Sequence, residues 1–231
     1  MSQFNKIATS RPNGDGASRL ANRITGRLLS KPLFVHVYVL ALNYEDMKSL
    51  PPPPIELEIR EVTEKDDGEV EALAGFRFYG QSKSEVLQYL EAGQRCWVAK
   101  HEDQVICCSW RATGHYRDYY FKRRFDLADN EEYLLGGWTS PAFRGMGIFP
   151  HVIAAAWHER SKSHPDWRAI TFIRPNNRAS LQTAHKMGLS VVGRVGFIEV
   201  FGIRFHFLLG RDVLPKTSNR VFFRILGEKS A

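Results

Sequence analysis

Gly137-Trp138-Thr139-Ser140-Pro141-Ala142-Phe143-Arg144-Gly145-Met146-Gly147-Ile148-Phe149-Pro150 is the stretch around which this 231-residue chain is organised. An apolar, strand-like run over 133–139 leads into it, and an Ala-rich helical run over 148–161 leads out. A strand that turns sharply into a helix leaves backbone N–H groups at the helix start without intrahelical partners, and the helix dipole adds partial positive charge there. That field suits a pyrophosphate. Gly145 and Gly147 let the backbone approach phosphate oxygens with no Cβ in the way, and Arg144 can add a charge-assisted hydrogen bond. Two other phosphate loops are excluded. A Walker loop ends in Gly-Lys-Ser/Thr, which is absent, and a dinucleotide fingerprint needs a third Gly where Pro150 stands.

Further on, Asn177-Arg178-Ala179-Ser180 is followed by Lys186-Met187-Gly188-Leu189. With the first stretch, these residues resemble the two signatures of the GNAT superfamily of N-acetyltransferases. One signature is a CoA pyrophosphate loop, Gln/Arg-x-x-Gly-x-Gly/Ala, after the fourth strand. The other is an Asn, a small residue three later and a Gly-Phe pair eleven later, which close the CoA groove. The glycines match at Gly145 and Gly147; Ala142 stands in the Gln/Arg slot, and Arg144, directly before the first Gly, compensates in part. The resemblance covers roughly residues 55–210. It implies an α/β (α+β) fold with a central mixed, mostly antiparallel sheet flanked by helices, and acetyl-CoA or another acyl-CoA as co-substrate. The cofactor contacts it implies are Trp138, Thr139, Arg144, Gly145, Met146, Gly147, Ile148, Phe149, Asn177 and Ser180.

Around this centre, residues 1–16 are polar, with Pro12, Gly14 and Gly16, and read as disordered. Over 17–31, Arg19, Arg23, Arg27 and Lys31 recur every four residues beside Leu20, Ile24 and Leu28, the pattern of a basic amphipathic helix. Such a helix either packs on its own domain with a solvated basic face, or meets an anionic membrane or acidic partner. Phe34–Val39 reads as a strand, and Pro51-Pro52-Pro53-Pro54 as a stiff linker, so residues 17–54 form an N-terminal helix and strand extension and the acyltransferase domain spans 55–210. Within it, the spacing predicts a strand over 55–62, helices over 66–73 and 83–91, the second capped by Ser82, and a hairpin of 95–100 and 104–111 across His101-Glu102-Asp103. The segment 113–131, rich in Tyr, Arg and Asp, reads as a loop on the acceptor side. Gly136-Gly137 invites a bulge or the close approach of another backbone, a ligand's by the resemblance. A strand over 169–173, a helix over 180–187 closed by Gly188, and strands over 191–201 and 203–209 complete the order. Residues 211–231 form a tail in which Val221–Leu226 reads as a strand that caps the sheet or pairs across a homodimer.

The composition suits one domain with a sizeable core. Cys96, Cys107 and Cys108 lie in apolar runs without metal-ligand spacing, as core thiols in a reducing compartment do. His151 and His158 are too far apart for one ion, so no metal is expected. No apolar run reaches the ~20 residues of a spanning helix, and no signal peptide is found, which points to a soluble, cytoplasmic protein. The net charge of +7 attracts anions in general. Nucleic acid is not expected as a partner, because the basic residues lack interleaved aromatics.

The resemblance implies acyl transfer from the CoA thioester to a small-molecule amine by direct attack. An alkyl amine with a pKa near 10.4 lies about 3.4 units, or about 4.6 kcal/mol, from deprotonation at pH 7, so a base or a water chain is needed. Glu132, at the start of the strand before the loop, and Glu199, flanked by Ile198 and Val200, are the candidate bases. The family commonly supplies the acid from a Tyr seven residues after its Asn; here that position is Ala184, and the neighbouring His185 is the substitute candidate. Tyr38, Tyr79, Tyr119 and Tyr133 are donors from elsewhere. Two rivals stay open: an acyl carrier protein as donor, docked on the basic leader, and a non-catalytic acyl-CoA sensor.

Overall fold

Alternating and fully apolar runs give the described residues more strand than helix. The computed structural model describes residues 33–76, 82–118, 121, 123–200 and 203–209. The readings of 1–16 as disordered, of 17–31 as a helix and of 221–226 as a strand lie outside those residues, as do Tyr79 and Tyr119. In chain order the elements are β1 (Leu33–Asn43), β2 (Glu58–Val62), α1 (Asp67–Gly75), α2 (Lys83–Glu91), β3 (Arg95–His101), β4 (Gln104–Thr113), β5 (His115–Asp118), β6 (Arg123–Asp126) and β7 (Glu131–Thr139). They continue with α3 (Ile148–Ser161), β8 (Arg168–Ile173), α4 (Arg178–Met187), β9 (Ser190–Val200) and β10 (Ile203–Leu209).

Among the described residues, eight strands form one sheet in the order β10-β9-β1-β8-β7-β4-β3-β2, and β5 pairs with β6 in a separate hairpin. Every pairing in the large sheet is antiparallel except β7 with β8. Helices α3 and α4 cover one face, where Ile153, Trp157, Ala184 and Met187 pack on Leu40, Leu42 and Leu134. On the other face, Val70 and Leu73 of α1 and Val86 of α2 pack on β3 and β4.

Local signals held where they were local. Ser82 N–H donates to Glu85 Oε2 at 2.8 Å, one arm of the capping box at the start of α2. Glu102 and Asp103 take the left-handed conformation in the β3–β4 turn, with φ of 48° and 63°. Gly188 ends α4 with φ 104°. Cys96, Cys107 and Cys108 are free and buried, and burial pushes the Cys107 thiol up to about 12.

Two differences from the sequence reading concern long-range placement. The strand read as part of an extension is β1, and it lies inside the sheet between β8 and β9, so the sheet begins at Leu33 rather than near Ile55. The proline run is therefore not a linker between domains. It belongs to a strap that carries the chain from β1 to the far edge strand β2, with Met47 and Leu50 packed on the core cluster of Trp157 and Ile55 and Leu57 on that of Val152. The second difference is 113–131. It folds as the β5–β6 hairpin, and Phe121, Phe125 and Leu127 are buried against Val37, Val195 and Phe197. The side chains that plug this core are spaced irregularly along a polar segment, which hid them from a periodicity argument.

At the entry to α1, Asp66 accepts from Thr63 N–H at 2.7 Å and from Arg60 Nη1 at 2.8 Å, and these contacts hold its carboxyl down to about 2. A depressed carboxylate pKa favours the folded state above the unfolded value, and the gain is lost as pH falls through the folded value. Asp66→Asn is expected to cost about 1 kcal/mol at pH 7, after allowance for solvent screening. The two proteins should converge in urea midpoint as pH falls from 4 toward 2; a constant gap across that window would rule out the ionised contact.

Candidate active site

The candidate site lies where β7 and β8, the one parallel pair among the described strands, come apart. Glu131 and Arg168, opposite each other at the start of β7 and β8, form an ion pair that pins the two strands together. Pairing runs on through Glu132↔Ala169 and ends at Tyr133↔Ile170. Beyond it, β7 bulges: Trp110 pairs with Gly136 and Arg111 with Leu134, which leaves Leu135 as the extra residue, and Gly136 takes φ 140°. A bulge bends its strand. Leu135–Thr139 thus keep β4 on one side and, among the described residues, have no strand partner on the side of β8.

The bent strand leads into the glycine-rich turn at 144–147. Ser140 N–H donates to Ile106 O at 2.8 Å, a 3-10 turn follows at Pro141–Phe143, and Gly147 is the N-cap of α3. Gly145 and Gly147 have φ of 81° and 75°, and a Cβ built on either would meet nothing within 4 Å. The cradle is therefore open at both glycines, and its backbone adopts a conformation that other residues resist. No side chain caps α3 and no acidic residue sits in its first turn. Among the described residues, the N–H groups of Gly145, Met146, Gly147 and Ile148 have no hydrogen-bond acceptor. Unpaired donors at the positive end of a 14-residue helix are what an anionic pyrophosphate requires.

The implied cofactor contacts divide into five sets. Gly145, Met146, Gly147 and Ile148 lie in the cradle itself, where Met146 packs against the cluster of Ile148 and Val152. Arg144 folds back, its Nε donating to Thr139 O at 3.1 Å, and Thr139 Oγ1 lies 3.3 Å from Cys107 Sγ. Phe149 turns inward onto Gly137: a Cβ on Gly137 would stand 1.8 Å from the Phe149 ring, so this glycine makes room for a side chain of its own chain rather than for a ligand backbone. Asn177 and Ser180 meet at the start of α4, where Asn177 Oδ1 accepts from Ser180 N–H at 3.3 Å. Trp138 points to the opposite face from α3 and stacks on Phe76 with centroids 3.9 Å apart. That pair ends a groove of about 600 Å³ beside Glu69, Lys100 and Val105, which no sequence signal announced.

The three candidate catalytic residues are not brought together, and Glu132, although it lies on β7, turns its side chain under α3. Glu132 is 2% exposed under α3. Its Oε1 accepts from Arg111 Nη1 at 2.6 Å and from Trp157 Nε1 at 2.9 Å, while Arg111 Nη2 donates to Ile153 O at 3.1 Å. The buried Tyr44 hydroxyl faces the same carboxylate, and burial followed by that charge raises its pKa. Glu132 is thus a structural anion. His185 lies in the last turn of α4, away from Asn177, with Nδ1 3.2 Å from Leu189 O. Glu199 sits in the β9–β10 hairpin paired with Arg204 Nε at 2.7 Å, on the far side of β1 and β8 from the cradle. Its apolar neighbours reflect the alternation of a strand and not a desolvated carboxylate.

Ala184 is 6% exposed, packed in the core beneath α4. Tyr133 is buried under Tyr116, with ring centroids 4.2 Å apart. Tyr38 is half-buried and pairs with Ile173 at the C-terminal end of β8, on the same end of the sheet as the cradle. Among the described residues, no three His, Cys, Asp or Glu side chains gather as a metal site, and no helix is long and apolar enough to cross a membrane.

No protein-family model matches this chain, and neither does any curated protein. Among solved structures, a Drosophila protein is 16% identical over 80% of this chain and 57% of its own, with a TM-score of 0.49. An acetyltransferase of the GNAT family from Colwellia psychrerythraea is 13% identical over 79% of this chain and 58% of its own, also at 0.49. The aminoglycoside N-acetyltransferase AAC(6')-Iy, in complex with CoA, is 18% identical over 60% of this chain and 91% of its own, at 0.46. The chain spans little more than half the length of the first two.

Proposed function

We propose that this chain, a GNAT fold by its strand order and its single parting parallel pair, transfers an acetyl or other short acyl group from acyl-CoA to a small-molecule amine. One observation carries the reading. The strands β7 and β8 separate after Tyr133↔Ile170, directly ahead of a cradle whose two left-handed glycines face open space. The cradle and the uncapped start of α3 would hold the pyrophosphate, and the pantetheine arm would run along the unpaired side of Leu135–Thr139. In that position it adds to the sheet much as a strand does.

The amine nitrogen then attacks the thioester carbonyl carbon. A nitrogen–carbon bond forms, the carbon–sulfur bond breaks, the amine proton leaves, and the thiolate takes up a proton. Backbone N–H groups along the unpaired side of β7 stabilise the negative charge that develops on the carbonyl oxygen. With Glu132 locked in its ion pair, the amine proton leaves through water. Tyr38, beside the end of β8, is the described tyrosine best placed to protonate the thiolate.

A second reading, acyl-CoA binding without turnover, is favoured by Ala184, a buried methyl in the slot where the family commonly carries its Tyr. Thermal unfolding with millimolar acetyl-CoA, free CoA and dephospho-CoA tests the cofactor, and turnover on a panel of amines separates the two readings. A ligand at 100 times its dissociation constant adds about 2.7 kcal/mol. For a chain of this size that is a rise of roughly 5–10 °C in Tm. The Gly145→Glu, Gly147→Glu variant, which places two carboxylates in the cradle, is expected to lose the whole shift. No shift for the unaltered protein with any of the three ligands would sink the assignment.

A further inference from the structure

Helices α3 and α4 cover their face of the sheet only as far as β1. Along β1, Phe34, His36, Tyr38, Leu40 and Leu42 alternate onto that face, and the last two are sealed in the core beneath the helices. The register carries the same face onward, from Phe34 to Ile198 of β9 and from Ile198 to Phe205 of β10. There no described element covers it. Phe34, Ile198, Ile203, Phe205 and Leu209 are each between 40% and 60% exposed. The half-buried Phe207 lies over Gly196 and stacks on Phe34 with centroids 5.5 Å apart. An apolar surface that spans three strands is rarely left to water in a soluble protein.

We propose that residues 17–31 of this same chain cover it, docked as an amphipathic helix with Leu20, Ile24 and Leu28 against Phe34, Ile198 and Phe205. Three features select this occupant. The first is tether length. Only Pro32 and Leu33 separate Lys31 from Phe34, a span of roughly 10 Å at most, so the segment cannot leave the neighbourhood of the patch. That confinement gives it an effective concentration in the millimolar range, which a second copy does not match in dilute solution. The second is spacing. Leu20, Ile24 and Leu28 recur about every 6 Å along a helix axis, and Phe34, Ile198 and Phe205 about every 5 Å across the three strands. The third is the disposition of charge. Each of Arg19, Arg23 and Arg27 directly precedes a residue of the apolar stripe, about 100° round the helix, so docking buries the stripe and leaves the guanidinium groups in water. The helix layer of α3 and α4 then continues across the whole face.

A double-mutant cycle on the full chain tests this with Ile24→Ala and Phe205→Ala, read by thermal unfolding and by binding of a dye that fluoresces on apolar surface. Each single variant is expected to lower Tm by about 4 °C and to raise dye fluorescence. The double variant should fall little further than either one, because residues in contact do not add. Additive losses, or a loss with Phe205→Ala and none with Ile24→Ala, would overturn the proposal. Sedimentation at two concentrations and flotation with phosphatidylserine vesicles address the other occupants. A dimer broken by Phe205→Asp and untouched by Ile24→Asp would assign the patch to a second copy. Vesicle binding lost in both Asp variants would assign it to a membrane. A dye signal that rises on removal of 211–231 and not on removal of 1–31 would assign it to the C-terminal segment.

Discussion

Glu132→Ala is expected to lower the free energy of unfolding by about 3–5 kcal/mol, the usual cost of leaving a buried charge without its partner. The side chains of Arg111 and Glu132 are both 3% exposed, and the carboxylate also accepts the indole N–H of Trp157. Removal of the carboxylate strands the Arg111 guanidinium, whose Nε already has no hydrogen-bond partner, inside the packing of α3 on the sheet. The paired replacement Arg111→Met, Glu132→Leu should recover most of the loss, because apolar groups of similar volume need no counter-charge. Urea unfolding of the three proteins gives the comparison. A Glu132→Ala protein that kept its stability and lost only turnover would restore Glu132 as a catalytic base and remove the structural account.

Gly137→Ala is expected to cost about 3 kcal/mol, at the upper end of overpacking penalties. Its Cβ would stand 1.8 Å from the Phe149 ring and 2.7 Å from Cys108 O, and the second of these belongs to a central strand that cannot yield. Phe149 is in the first turn of α3, so its displacement moves the start of the helix and with it the cradle. The variant should therefore bind CoA more weakly as well as unfold earlier. Phe149→Leu in the same protein relieves the ring contact and leaves the contact with Cys108 O, so part of the stability should return. Full stability in Gly137→Ala would mean that the ring does not rest on this glycine.

The left-handed turn at Gly145 and Gly147 was legible because its geometry is local. Gly145, Gly147, Gly188 and the Ser82–Glu85 box each act through backbone geometry within a few residues of themselves, and the bulge announced by Gly136-Gly137 lies where the strands part. The place of β1 was not legible. Leu33–Asn43 is apolar on both faces, as a central strand is, yet nothing in such a run names partners more than a hundred residues away. Arg111 was missed for a related reason. A lone cation in an apolar strand reads as an outward position until its partner, 21 residues on, is folded beneath the same helix. Catalytic roles were the least legible, since Glu132, His185 and Glu199 were singled out by their neighbours in sequence, and each takes its role from a partner in space.

The interior position of β1 also sets an order of events during synthesis. Leu33 pairs with Glu199, so roughly 160 residues must be made before β1 can acquire its second neighbour. At ribosomal rates of about 5–20 residues per second, that interval is on the order of 8–30 s. Until β8 is made, late in that interval, both edges of this eleven-residue apolar strand stay open. Late sequence thus closes what early sequence begins, and this first strand is where a nascent-chain chaperone would be expected to bind.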